Sequence, residues 1–391
     1  MTVLNFFWDY LYLKVARAER QRAFLFPLLL LLVLGPRSES KAQTPFAGFE
    51  QLFTTPRSYT VQFTDHPPVV DGDIEDEAWQ AAAWSEKFTD IEGSKKPAPA
   101  LDTRVKMLWN DSCLFIAAQL QEPHVWANIR KHDAVVFHDN DFEVFIDPDN
   151  NTHQYYEIEV NALNTIFDLF MNKPYRNGSG AMIAWNVDRL QSAVQVQGTL
   201  NDPADTDKGW TVEMAIPFRA ISIGNDTKVP REGSLWRINF SRVEWDTDIA
   251  DGAYRKTKDE KGKTLAEHNW VWSPQGVINM HYPERWGYLQ FTRSKAGSAA
   301  IAIALPYAEK QKRYLWLLYY QQKKYYAQHG RYATALAALG FKKGDVLIDE
   351  KQNHLQLEAG KHQFMASIQC PGSAVWAINQ DGLIQVLQEA P

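Results

Sequence analysis

The chain has 391 residues, with 41 Lys plus Arg against 47 Asp plus Glu and a formal net charge of −6. Hydrophobic residues make up 45% and charged residues 23%, ordinary globular usage that argues against wholesale disorder, a fibrous repeat or a polytopic membrane protein. A mildly acidic chain also lacks the basic surplus that phosphate-backbone binding requires, so nucleic acid is not an expected partner. The 14 Trp, 16 Tyr and 20 Phe stand out and favour sandwich cores and stacking sites.

At the N-terminus, Arg17, Arg20 and Arg22 precede the apolar run Phe24–Leu34, Gly35 and Pro36 break it, and Ser40-Lys41-Ala42 offers small residues for cleavage. Residues 1–42 therefore read as a secretory signal with a long leader. The run is well short of the ~20 residues a spanning helix needs, so no stable membrane span is expected after cleavage. The mature chain is expected to be secreted, periplasmic or on the cell surface. Residues 43–59 read as an N-terminal extension. Cys113 and Cys370 signal neither a disulfide framework nor a zinc cluster, and read as free thiols.

Between Val61 and Phe291, short stretches with period-two alternation are separated by Asp, Asn, Gly and Pro, the pattern of an antiparallel sandwich or barrel. Predicted strands are 103–109, 114–120, 141–146, 154–160, 165–171, 192–200, 210–216, 235–243 and 287–291. One short helix is predicted over Glu75–Ala83, capped by Asp73, with Trp79 and Trp84 plugging one end of the core. The sandwich is assigned to residues 60–292 and a small, polar linker to 293–300. A second unit over 301–391 is predicted as a helical segment from Tyr307 to Ala338 followed by three short strands within 346–386. The fold class expected is all-β, a jelly-roll-like antiparallel sandwich with a small C-terminal α+β unit.

Five motifs in order carry a resemblance: Val70-Asp-Gly-Asp-Ile-Glu-Asp-Glu-Ala-Trp79, Asp141-Phe-Glu-Val-Phe-Ile-Asp147, Tyr155-Tyr-Glu-Ile-Glu-Val-Asn161, Gly209-Trp-Thr-Val-Glu-Met-Ala-Ile-Pro217 and Pro283-Glu-Arg-Trp-Gly-Tyr288. Together they resemble the family 9 carbohydrate-binding modules over about residues 60–292. The resemblance implies a β-sandwich that binds sugar without cleaving it, often attached to secreted polysaccharide-degrading enzymes and often carrying structural calcium. In that family two tryptophans clamp a terminal sugar; Phe137 and Met280 stand at the matching positions here. Glu159 stands where the family usually has an arginine, and Asn161 matches a family asparagine. The segments Tyr314–Tyr320 and Tyr325–Leu336 faintly resemble the region after the anchor helix of pilin-like proteins.

Read from the residues themselves, Asp141, Glu143, Phe145 and Asp147 share one strand face, and Phe142, Val144 and Ile146 the core face. Glu157, Glu159 and Asn161 share a face on the next strand. If Pro148–His153 joins the two as a hairpin, carboxylates stand on one wall and repel. Basic residues such as Arg104, Lys106, Arg237 or Arg242, a bound cation, or solvent must offset this. The oxygen-rich Asp71, Asp73, Asp139 and Asp141 suit structural calcium. A saccharide ligand needs a flat aromatic platform beside hydrogen-bonding side chains. The expected set is Trp126, Phe137, Glu159, Asn161, Trp245, Trp270 and Trp272, although any single Trp is more often a core residue.

Two alternatives stay open. A glycoside-active enzyme would use the pair Glu143 and Glu159, since such carboxylates sit ~5–5.5 Å apart for retention or ~6.5–9.5 Å for inversion. An envelope scaffold protein would have lost the sugar site. Nucleophile-elbow, zincin, phosphate-loop and dinucleotide motifs are not found.

Overall fold

The computed structural model describes residues 46–299 and 302–390, and these described residues belong to one compact body. The signal expected over residues 1–42 lies outside the described residues. Fifteen strands build the first part: β1 Ser58–Phe63, β2 Thr89–Asp90, β3 Thr103–Trp109, β4 Cys113–Gln121, β5 Asp141–Asp147, β6 Tyr155–Asn161, β7 Ile166–Met171, β8 Ala181–Met182, β9 Gln191–Gln197, β10 Gly209–Pro217, β11 Leu235–Glu244, β12 Thr247–Ala250, β13 Ala253–Lys256, β14 His268–Val271 and β15 Gly287–Lys295. One layer runs β8-β7-β6-β5-β11-β15 with β14 paired to β11, and the other runs β1-β3-β4-β10-β9. The layers join where β1 lies between β15 and β3, and both of those pairings are parallel.

Alternation explains the core. Phe142, Val144, Ile146, Ile158, Val160, Ile238 and Phe240 from one layer meet Val61, Val105, Met107, Ile116, Val212 and Met214 from the other, all buried in a single cluster. The opposite faces are also covered. Trp79 packs with Leu108, Phe115 and Ala117 on one outer face, while Val136, Met280 and Trp286 pack with Phe145, Tyr155 and Leu169 on the other. The second of these coverings places the carboxylate face indoors.

The predicted helix near residue 75 is a single turn, α1, Glu77–Gln80. Asp73 does not cap it: its carboxylate accepts the Glu75 amide at 3.0 Å and forms a local turn instead. Trp79 is fully buried and donates its indole N–H to Glu213 at 2.5 Å. Trp84 is only half-buried, with the Arg104 guanidinium and Lys106 ammonium 4.0 and 4.5 Å from its ring centroid.

The C-terminal helix α2 spans Tyr307–His329, shorter than the predicted segment. Gly330 ends it in the left-handed region, φ 65°, with its N–H bonded to Tyr326 O at 2.8 Å. Five strands follow as an antiparallel meander, two more than predicted: β16 Asp345–Ile348, β17 Lys351–Ala359, β18 Phe364–Gln369, β19 Val375–Asn379 and β20 Ile384–Gln388. Phe46, Phe49, Leu52 and Phe53 pack into the core of α2 and this sheet, so part of the segment expected to be an extension is a structural component of the C-terminal unit. The expected linker is likewise shortened, because β15 continues to Lys295.

Candidate functional site

Strands β5 and β6 pair as the predicted hairpin, with Asp141 opposite Asn161, Glu143 opposite Glu159 and Phe145 opposite Glu157. Ser241 of β11 stands opposite Glu143 on the other side. One face of the layer thus carries Asp141, Glu143, Glu157, Glu159 and Ser241, each buried. Glu143 and Glu159, the pair of the enzymatic alternative, are brought side by side. Oxygen atoms of Asp141, Glu143 and Glu159 lie within 4.8 Å of one another.

The aromatic platform differs from expectation. Trp272 is fully buried against Phe240, and the ring lies so close to Gly287 that a Cβ there would meet Trp272 at 2.2 Å. Trp270 is buried between the two layers, stacked on His268 with the Arg242 guanidinium 5.3 Å from its centroid. Trp126 is also buried. These three rings present no open surface to a ligand, because loops from distant parts of the chain close over them. Phe137 and Trp245 are half-buried and adjacent: the Trp245 indole N–H donates to Phe137 O at 2.8 Å. Lys256 Nζ sits 3.3 Å from the centroid of the Trp245 ring, covering one of its faces. Met280, aligned with the family's second tryptophan, is buried in the outer-face cluster.

Asn161 is fully buried and committed within the protein. Its amide donates to Ile129 O and Asp139 Oδ2, and its carbonyl accepts the Leu163 and Thr165 amides. Asp139 Oδ2 also accepts the Asn128 and Ile129 amides at 2.8 Å, so it organises a loop. Asp71 and Asp73 are exposed and belong to a turn held by Glu213 of β10. The structure therefore does not assemble the expected set Asp71, Asp73, Asp139 and Asp141. It groups Asp141 with Glu143 and Glu159 instead.

None of the four basic residues expected to offset the repulsion reaches this strip. Arg104 donates to Gln119, Lys106 to Trp79 O, Arg237 to Asn150, Trp286 O, Tyr288 and Glu309, and Arg242 to Glu122, Glu244, Thr103 and Gln121 O. Burial pushes Asp141, Glu157 and Glu159 well above the ordinary carboxylate range, and the neighbouring carboxylates push further in the same direction. Burial raises Glu143 to about 7. His281, contributed by the segment between β14 and β15, has Nε2 3.8 Å from Glu157 and Nδ1 2.9 Å from Tyr155 Oη. Burial, then Arg176, holds this imidazole down at about 3, so it is neutral at neutral pH and balances no charge. Burial also brings Lys256 down to about 8.

Ser241 was missed, although the alternation of the predicted strand 235–243 carried the signal that could have placed it on this face. His281, Tyr155 as its partner, and Lys256 over Trp245 had no such signal, since each depends on which loop packs on the outer face. A separate group, His132, Asp133 and Asp168, lies at β7, where Asn186 Oδ1 and the two carboxylates hold the imidazole above its ordinary value against the smaller effect of burial.

The family model for "Carbohydrate family 9 binding domain-like" proteins matches residues 70–289. Exoglucanase XynX of Acetivibrio thermocellus and endo-1,4-beta-xylanase A of Thermoanaerobacterium saccharolyticum are each 27% identical over 160 residues, 41% of this chain but 12% of theirs. Among solved structures, a carbohydrate binding module family 9 from Caldicellulosiruptor kristjanssonii in complex with cellotriose has a TM-score of 0.40 and 16% identity, and covers 64% of this chain and 100% of its own. The glucose complex of a module from the same organism gives 0.40 and 16%, with 63% and 100% covered.

Proposed function

Because the chain belongs to the carbohydrate family 9 binding domain-like family, we propose that it binds a saccharide without cleaving it, outside the cytoplasm and in support of polysaccharide breakdown. The observation that carries the reading is family membership over more than half the chain, joined to one local feature. Of the five rings expected as platforms, Phe137 and Trp245 alone are half-exposed, and they are hydrogen-bonded neighbours. A sugar ring would lay its C–H face on this shelf and turn hydroxyls toward polar groups along its rim. Asn161 has no free hydrogen-bonding capacity for that role, and Trp126, Trp270 and Trp272 act in packing. The reading also accounts for Lys256: a cation already stacked on one face of Trp245 leaves a single face for a ligand.

The test is calorimetric titration of the full chain with a panel of mono- and oligosaccharides, with parallel assay of reducing-end release. Binding heat without turnover is the expected result. Phe137→Ala and Trp245→Ala are expected to weaken binding about tenfold, an aromatic contact of ~1.4 kcal/mol, whereas Trp272→Phe leaves affinity unchanged while lowering stability. Silence across the panel would remove the saccharide reading. Turnover that Glu143→Gln abolishes would replace it with the enzymatic one.

A further inference from the structure

We propose that Asp141, Glu143 and Glu159 form a site for one divalent cation of the hard, oxygen-preferring class, such as calcium, magnesium or manganese, with Ser241 Oγ as a further protein oxygen. The geometry is that of a coordination shell. One oxygen from each carboxylate lies within 4.8 Å of the other two. Oxygens on opposite sides of a calcium ion, at ~2.4 Å each, are about 4.8 Å apart. The donor set is all oxygen, which selects against zinc and copper.

Charge balance points the same way. Three carboxylates sharing one buried face repel unless something compensates. Solvent is excluded, since Asp141, Glu143 and Glu159 are 0%, 5% and 2% exposed. Among the described residues, no Lys, Arg or His nitrogen comes within 4.0 Å of their oxygens, and the four basic side chains on nearby strands are committed elsewhere. Lys256, over the Trp245 ring, faces Asp139 and Asp141 at longer range, but one ammonium does not balance three carboxylates, so a cation or bound protons must supply the rest.

Unpartnered polar atoms favour the cation. Asp141 Oδ2 is buried without a hydrogen-bond partner, and so are Glu157 Oε2 on the same face and Ser241 Oγ, directly across the ladder from Glu143. A cation needs oxygens turned toward a common point, and an orphaned carboxylate oxygen and a hydroxyl on one buried face meet that need. The His132 group is a different case, because there an imidazole nitrogen lies 3.3 and 3.8 Å from carboxylate oxygens of Asp133 and Asp168. The cation site does not rest on saccharide binding. It neutralises the wall beneath Phe137, whose backbone N–H donates to Glu159 Oε2 at 3.1 Å, and so holds that loop in place.

The experiment is titration of the chelator-treated full chain, without saccharide, by calorimetry with calcium, magnesium and manganese salts and by the electron paramagnetic resonance signal of free manganese. One ion per chain and a rise in melting temperature are expected. Asp141→Asn and Glu159→Gln should each lower affinity at least ~10-fold, and His132→Ala should leave it unchanged. In chelator the two amide variants should melt at or above the wild-type temperature, since each removes a carboxyl whose ionisation is opposed by burial and by its neighbours. Ser241→Ala, which keeps all three carboxylates, gives an independent reading and should lower affinity several-fold. The proposal is overturned if the wild-type chain takes up none of the three ions, or if uptake is as tight in Glu159→Gln and Ser241→Ala as in wild type.

Discussion

Glu309 is where helix α2 is fastened to the sandwich, and its replacement by glutamine is the sharpest test of how the two parts cohere. Its carboxylate accepts from Asn150 at 2.9 Å, Tyr288 Oη at 2.9 Å and Arg237 at 3.2 Å, and pairs with Lys312 at 2.8 Å. Glu309, Arg237 and Lys312 are all buried. Glu309→Gln keeps the size and one acceptor but leaves two buried cations facing a neutral amide. Breaking a buried pair from one side costs about 3 to 5 kcal/mol, and retention of the amide acceptor places this change near 3 kcal/mol.

The pH dependence follows from the direction of the shift. Burial by itself raises the Glu309 carboxyl, but Lys312 and then Arg237 outweigh it and hold the group below its ordinary 4.5. A depressed acid contributes its stability in full above the unfolded value and loses it as the pH falls through the folded one. Urea unfolding of wild type and variant, followed by tryptophan fluorescence, should show a difference of about 3 kcal/mol at neutral pH that narrows below pH about 4. A difference under ~1 kcal/mol at neutral pH, or one that does not narrow in acid, would refute the assignment of this junction as a compensated buried ion pair.

Two further outcomes can be stated. Arg242→Met strands the buried carboxylates of Glu122 and Glu244, which lie 2.8 Å from the guanidinium, and should cost about 3 to 5 kcal/mol by chemical denaturation; Arg242→Lys should not restore it, since one ammonium cannot reproduce the donor fork that also serves Thr103 and Gln121 O. Gly287→Ala drives a methyl to within 2.2 Å of Trp272 and should destabilise by about 1 to 3 kcal/mol in a thermal melt, because a buried indole has nowhere to yield.

The elements of the sandwich were legible because alternation is local. Phe142, Val144 and Ile146 announce a core face in their own seven-residue strand, and the structure places them there; Glu143 and Glu159 meet because a short hairpin fixes register. The C-terminal helix was legible as a helix but not in length, since Gly330 supplied the stop and the chain beyond it turns away. Residues 46–53 were not legible as partners of α2, because nothing in their own spacing reveals a contact with a segment about 260 residues later.

By itself the sequence determined the fold class, the family motifs and the carriage of acids on one face of β5 and β6. Tertiary structure alone decided which of those residues meet solvent. Trp272 is sealed by Gly287, Asn161 is consumed by the Asp139 loop, and Arg237 and Arg242 turn to Glu309, Glu122 and Glu244 rather than to the acid strip. The physical reason is that strand periodicity fixes the direction of a side chain, whereas its exposure and its counter-charge are set by loops and strands that arrive from elsewhere in the chain.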